Sequence, residues 1–250
     1  MKLVILDVGG VLRDSSLAMG EGFRKGFKAY KLPYNFSPDD IWHMRGVGKY
    51  NERANCIKAL LAIFRKQADL GEILKREDAE KILDILVSQS VTKDDNELVD
   101  KIGKIYRKYF VSEETRRLIT ILPNSIHAVE LLSKYYQLAI FTNSSTETVK
   151  RDIKDFDLSR FSVILGEEQV KNKKPSGEGL KKICKMLAVA PAETVYIGDA
   201  VVDIMAARNA GCKCAVVLSG MGLEQHLRKE RPDYIFENLY EAAKYLTKSV

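Results

Sequence analysis

Six short apolar runs, each followed by glycine or a polar residue, constrain the fold of this chain more than any other feature. They are "KLVILDV" at 2–8, "QLAIFT" at 137–142, "SVIL" at 162–165, "TVYIGD" at 194–199, "KCAVVL" at 213–218 and, more weakly, "DYIF" at 233–236. None alternates apolar with polar along its length, so each reads as a strand buried on both faces. Helical patterns separate them, near 124–134, 145–155, 176–188, 201–210 and 238–247. Such strands alternating with helices predict an α/β fold, a doubly wound parallel sheet with right-handed crossovers.

The first strand stands apart from the others. Residues 15–120 carry almost no strand signal. Instead Cys56, Ile57, Leu60, Leu61 and Phe64 recur at helical spacing, as do Ile82, Leu83, Ile85 and Leu86, and Leu98, Ile102, Ile105, Tyr106 and Tyr109. These read as helix-packing stripes. The expected organisation is an α/β core built from 1–14 and 121–250, interrupted by a helical domain at 15–120. A chain of 250 residues is long enough for both parts to own a core.

Charge and composition narrow the partners. The net charge of +6 is spread along the chain, and pairs such as Arg116-Arg117 and Lys181-Lys182 read as solvated helix faces. The favoured reading is therefore a solvated surface, whose excess charge can also help recruit an anionic substrate; no nucleic-acid motif accompanies it. No apolar run approaches the roughly 18 residues of a membrane helix, and "MKLVILD" lacks the long apolar stretch of a secretory signal. The expected setting is cytoplasmic, without a membrane partner. Cys56, Cys184, Cys212 and Cys214 read as buried thiols, since their spacing fits neither a disulfide framework nor a zinc site.

In open α/β sheets, ligands bind beyond the carboxyl ends of the strands. Asp7 ends the first strand, Thr142-Asn143 another, and Gly198-Asp199 a third, with Asp203 one helical turn further on. Lys174 lies in the loop "KNKKPSGEGL". Three crowded carboxylates repel unless a cation joins them, and hard oxygen ligands of this kind suit Mg²⁺ bridging to a phosphate. The Gly9-Gly10 turn lets backbone N–H groups approach an anion, and a carboxylate can attack phosphorus to form an acyl phosphate.

Taken in order, "LDVGGVLRD", "IFTNS", "KKPSGEGL" and "VYIGDAVVDIMAARNAG" resemble the four motifs of the haloacid dehalogenase superfamily, most of whose members are phosphohydrolases. "RPDYIFENLYEAAKYL" is similar to the family's last strand and helix. The helical insert falls where phosphoglycolate-phosphatase-like members carry a cap. The resemblance implies a Rossmann-type core and Mg²⁺-dependent hydrolysis of a small phosphorylated metabolite. Asp7 would be the nucleophile, Thr142 would bind the transferring phosphoryl group, and Lys174 would steady both. Asp7, the Gly9 carbonyl, Asp199 and Asp203 would serve the metal. Gly10 and Asn143 would contact substrate, as would Arg45 or Lys49 from the cap segment "RGVGKYNERA".

One position departs from the pattern. Phosphatases of this family usually carry a second Asp two residues after the nucleophile, which protonates the leaving oxygen; here it is Gly9. Four readings stay open. The chain is a phosphatase with a good leaving group or another acid, such as Asp14. It is a 2-haloacid dehalogenase, although that branch needs no Mg²⁺ and lacks the Gly-Asp pair. It is a phosphonate C–P hydrolase with Lys49 as Schiff base. Or it is a non-catalytic member that binds a ligand or protein.

Overall fold

All four residues of β1 (Leu3–Leu6) are buried, as expected of a strand with a layer on each side. The computed structural model describes residues 1–248. Two short strands, β2 (Arg13–Asp14) and β3 (Thr120–Ile121), pair antiparallel. The others are β4 (Gln137–Phe141), β5 (Phe161–Leu165), β6 (Thr194–Gly198), β7 (Lys213–Val217) and β8 (Tyr234–Phe236). Among the described residues, β1 and β4 to β8 form one sheet in the order β5-β4-β1-β6-β7-β8, every pairing parallel. This is the doubly wound α/β fold that the apolar runs predict.

Successive residues of each strand serve opposite layers. Val4, Leu6, Leu138, Ile140, Val195 and Ile197 face the helices Ser125–Ser133 and Leu239–Thr247. Leu3, Ile5, Ala139, Phe141 and Tyr196 face Glu178–Met186 and Val201–Ala210. Two layers of helix leave no face in water, which is why the strands read as unbroken apolar runs. The chain winds outward from β1 in both directions, through β4 to β5 and through β6 to β8. A crevice at the carboxyl end of β1 is the expected ligand site of such a topology.

The sequence pattern misses β2, β3 and the helix Glu224–Lys229. Two-residue strands and a helix of under two turns are too short to show a period. It also misses a buried ion pair. Arg13 on β2 is 2% exposed and lies 3.3 Å from Asp152, whose side chain is fully buried. Asp152 is further held by Arg151 at 2.8 Å.

The chain divides into two units, Met1–Asp14 with Thr120 onward, and Ser15–Ile119. The second unit is helical, with its longest helices at Ser16–Ala29, Arg53–Lys66, Ala79–Ser90 and Asp95–Phe110. Its packed stripes are narrower than the spacing predicts. Phe64 and Ile85 are 41% and 45% exposed, and Val99 rather than Leu98 is buried. Apolar residues beyond what neighbouring helices can cover stay in water. Arg65 pairs with Asp95 through two hydrogen bonds of 2.8 and 2.6 Å. Those bonds hold the Asp95 carboxyl well below the ordinary carboxylate range. A depressed acid stabilises the fold above its unfolded pKa, near 4, and loses that contribution as pH falls. Asp95→Asn should therefore cost up to about 1 kcal/mol at pH 7, the ceiling for an exposed pair, and progressively less as pH falls below about 4 toward the depressed folded-state value. Denaturant melts across that pH range read the difference.

Candidate active site

The carboxyl ends of β1, β4 and β6 bring Asp7, Thr142 and Asp199 together, all buried. Asp7 leaves β1 with its N–H still bonded to Ile197 O at 2.9 Å, so the backbone fixes where its carboxylate begins. Asp7, Asp199 and Asp203 each offer an oxygen within 4.8 Å of the others. Burial raises the Asp7 carboxyl above its ordinary range; Lys174 opposes the rise and Asp203 adds to it. Burial, then Asp203 and Asp7, push Asp199 up further. Like charges this close in a buried setting are costly without a cation.

Lys174 supplies part of that compensation. Its Nζ is 2.7 Å from Asp203 Oδ1 and 3.1 Å from Asp7 Oδ1. Burial works against its charge, yet Asp203 and Asp7 outweigh burial and hold its pKa above the usual lysine value. A third contact was not legible in the motif: Nζ donates to Tyr196 Oη at 2.9 Å. Tyr196 lies within 2.9 Å of Asp203 Oδ1 and 3.2 Å of the Phe141 carbonyl. In the sequence Tyr196 is one more apolar-run residue of β6.

Asp203, which the motif assigns to the metal, belongs to the same acidic cluster but has hydrogen-bond partners on both oxygens. Oδ1 accepts from Lys174 and lies against Tyr196, while Oδ2 accepts the N–H groups of Asp199 at 3.1 Å and Ala200 at 3.0 Å. A carboxylate has about four lone-pair sites, and these contacts take them. Asp203 braces the turn after β6 and the lysine. Asp199 differs. Its Oδ2 accepts Met221 N–H at 2.7 Å, but the buried Oδ1 has no partner among the described residues. Asp7 Oδ1 meets Lys174 only as a charge contact and is likewise without a hydrogen bond. The Gly9 carbonyl accepts none among the described residues. Asp7 and Asp199 therefore keep carboxylate oxygens open within a buried all-oxygen cluster that could hold a hard divalent cation.

Asn143 and Gly10, expected as substrate contacts, have local hydrogen-bond partners. The Asn143 side chain donates to Lys174 O at 3.3 Å and accepts Lys174 N–H at 3.0 Å, which fixes the lysine's backbone. What remains free is the backbone N–H of Asn143, together with that of Gly9; neither has an acceptor among the described residues. Gly10 donates its own N–H to Arg13 O at 2.8 Å, so it closes the turn rather than cradling an anion. Its φ is +69°, and a Cβ there would lie 2.0 Å from Asp199 Oδ2. Across the same carboxylate, a Cβ on Gly220 would lie 2.1 Å from Oδ2. The Asp199 carboxylate is thus flanked by two glycine backbones, and a side chain on either would displace it. Ser219 Oγ joins the two loops by donating to Gly10 O at 2.8 Å. The loop "SGMG" was passed over in the sequence; its glycines, directly after an apolar run, were the available signal.

Thr142 Oγ1 accepts Ser144 N–H at 3.2 Å, which leaves its hydroxyl proton for a ligand. Arg45 and Lys49 belong to the second unit and have local partners there. The Arg45 guanidinium donates to Asn51 O, and Asn51 returns a bond to Arg45 O at 3.1 Å, so Arg45 clamps the loop between them. Lys49 is exposed and pairs with Asp84 at 2.8 Å. That is the opposite of the desolvated setting in which a lysine becomes a Schiff-base nucleophile.

The family model for haloacid dehalogenase-like hydrolases matches residues 50–217. A phosphoglycolate phosphatase of Shigella dysenteriae is 26% identical over 240 residues, covering 94% of this chain and 88% of that protein. The pyrophosphatase PpaX of Halalkalibacterium halodurans is 31% identical over 166 residues, covering 66% and 77%. Among solved structures, a haloacid dehalogenase-like family hydrolase from Streptococcus pneumoniae superposes with a TM-score of 0.70 at 21% identity, covering 99% of both chains. The match spans the turn after β6, the lysine loop and the strand end at Thr142, and the chain belongs to the haloacid dehalogenase-like hydrolases.

Proposed function

We propose that this protein is a Mg²⁺-dependent phosphatase acting on a small phosphorylated metabolite through an aspartyl-phosphate at Asp7. One observation carries the reading: a buried carboxylate, paired to a charged lysine at 3.1 Å, lies beside Asp199, whose inward oxygen has no partner. That arrangement suits an oxyanion nucleophile next to a divalent cation. The open Asp199 oxygen in particular has no task in a metal-free dehalogenase. The relatives named phosphoglycolate phosphatase and pyrophosphatase favour the same class of substrate.

Each residue then has a task. The N–H groups of Gly9 and Asn143 and the Thr142 hydroxyl receive the phosphoryl oxygens. Lys174, held by Asp203, Tyr196 and Asn143, places its charge between Asp7 and the phosphoryl group. An Asp7 oxygen attacks phosphorus, the bond to the leaving oxygen breaks, and that oxygen departs with the electron pair. Water then attacks the aspartyl-phosphate, releasing phosphate and restoring the carboxylate. A bound Mg²⁺, held by Asp7, Asp199 and the Gly9 carbonyl, would supply Lewis-acid neutralisation of the developing charge. Residues 15–119 would act as the cap that excludes water.

A panel of phosphate esters, acyl phosphates, phosphonates and 2-haloacids, assayed with Mg²⁺ and with chelator, tests the reading. Phosphate release that requires Mg²⁺ is expected. Halide release in the presence of chelator would overturn it.

A further inference from the structure

The second unit contains a groove of about 350 Å³ between the start of the helix Arg53–Lys66 and the helix Asp95–Phe110. Arg53, Lys104 and Arg107 line it, with Asp100 as the one acid and Ile57 and Val99 as its apolar part. Several cations elsewhere on this unit have ion-pair partners: Lys49 pairs with Asp84, Arg65 with Asp95, Arg76 with Asp78 and Lys101 with Glu97. Among the described residues, none of the three groove cations has an ion-pair partner, and Asp100 reaches none of them.

Arg53 is the most constrained of the three. It is half-buried, its guanidinium lies 5.8 Å from the Tyr106 ring centre, and its Nε packs over Gly103. Burial first, and Arg107 second, lower its pKa, so the fold holds this charge against both desolvation and a like neighbour. Guanidinium groups converging on an open, partly apolar groove match a planar or tetrahedral oxyanion, which they bind in a bidentate manner.

We propose that this groove binds an anionic group, a phosphate or a carboxylate, through Arg53, Lys104 and Arg107. The proposed ligand is a free anion taken up by this unit alone, so the proposal does not depend on the phosphatase reading.

Calorimetric titration with inorganic phosphate tests the site without turnover. Lys104→Gln/Arg107→Gln removes two exposed cations and leaves the packed residues Val99, Ile102 and Tyr106 in place. Lys101→Gln/Lys108→Gln, on the same helix and outside the groove, is the control of equal charge. Wild type and control should bind one more phosphate equivalent than the groove variant, or bind it at least tenfold more tightly. Equal binding by all three, or an equal loss in the control, would overturn the proposal.

Discussion

Asp7→Asn is expected to lower phosphate release by about 10⁴-fold or more, the scale on which removing a nucleophile acts. The amide has the carboxylate's shape but cannot attack phosphorus at a useful rate. The fold should persist, because the substitution removes one of three crowded acids rather than a packing group. Asp7 is buried and its carboxyl is raised by that burial, so a neutral side chain relieves repulsion with Asp203. Melting temperature should stay level or rise. Covalent phosphorylation after brief exposure to an acyl phosphate should be seen in wild type and vanish in the variant. A variant that folds and keeps wild-type turnover would rule out the aspartyl-phosphate.

Gly9→Asp is expected to raise turnover of alkyl phosphates by about 10²-fold, the low end of what a positioned general acid contributes. Gly9 occupies the position at which related phosphatases place their leaving-group acid. Without it, the enzyme should favour acyl and aryl phosphates, whose leaving oxygens are weak bases and need little protonation. Alkyl phosphates leave as strongly basic alkoxides and need much more. The backbone raises no objection to the substitution. Gly10 has φ at +69°, but Gly9 is not among the positive-φ glycines, and it is half-buried rather than packed in the core. A folded, Mg²⁺-binding Gly9→Asp with no gain, together with a wild type indifferent to the leaving group, would mean that another residue already delivers the proton.

Much of this architecture is written in the chain, because strands covered on both faces must be apolar throughout and the site residues are the polar groups that end them. Asp7, Thr142 and Asp199 could be found by asking where each apolar run stops. What could not be found depends on distant segments meeting. Tyr196 is indistinguishable from a core residue until Lys174 arrives from 22 positions upstream. That both oxygens of Asp203 are engaged, by Lys174 and by two backbone N–H groups, shows only once the loops meet. Gly220 earns no notice until its backbone closes on Asp199. The side chains of Asn143 and Arg45 have the donors to bind substrate, but nearby backbone carbonyls claim them first.

The pairing of Asp14 with Thr120 in the β2–β3 ladder has a consequence for how such a protein can diversify. The chain leaves this short ladder at Asp14 and returns to it at the paired Thr120. To the sheet, everything between is a loop closed by a two-strand stem. The entropy of closing such a loop grows only with the logarithm of its length. Insertions of quite different size and content can therefore be exchanged on this stem while β1 and the carboxylate at its end stay where they are. The inserted unit and the strand that ends in Asp7 are in this sense separately heritable, and a graft cut at residues 14 and 120 follows a seam already present in the backbone.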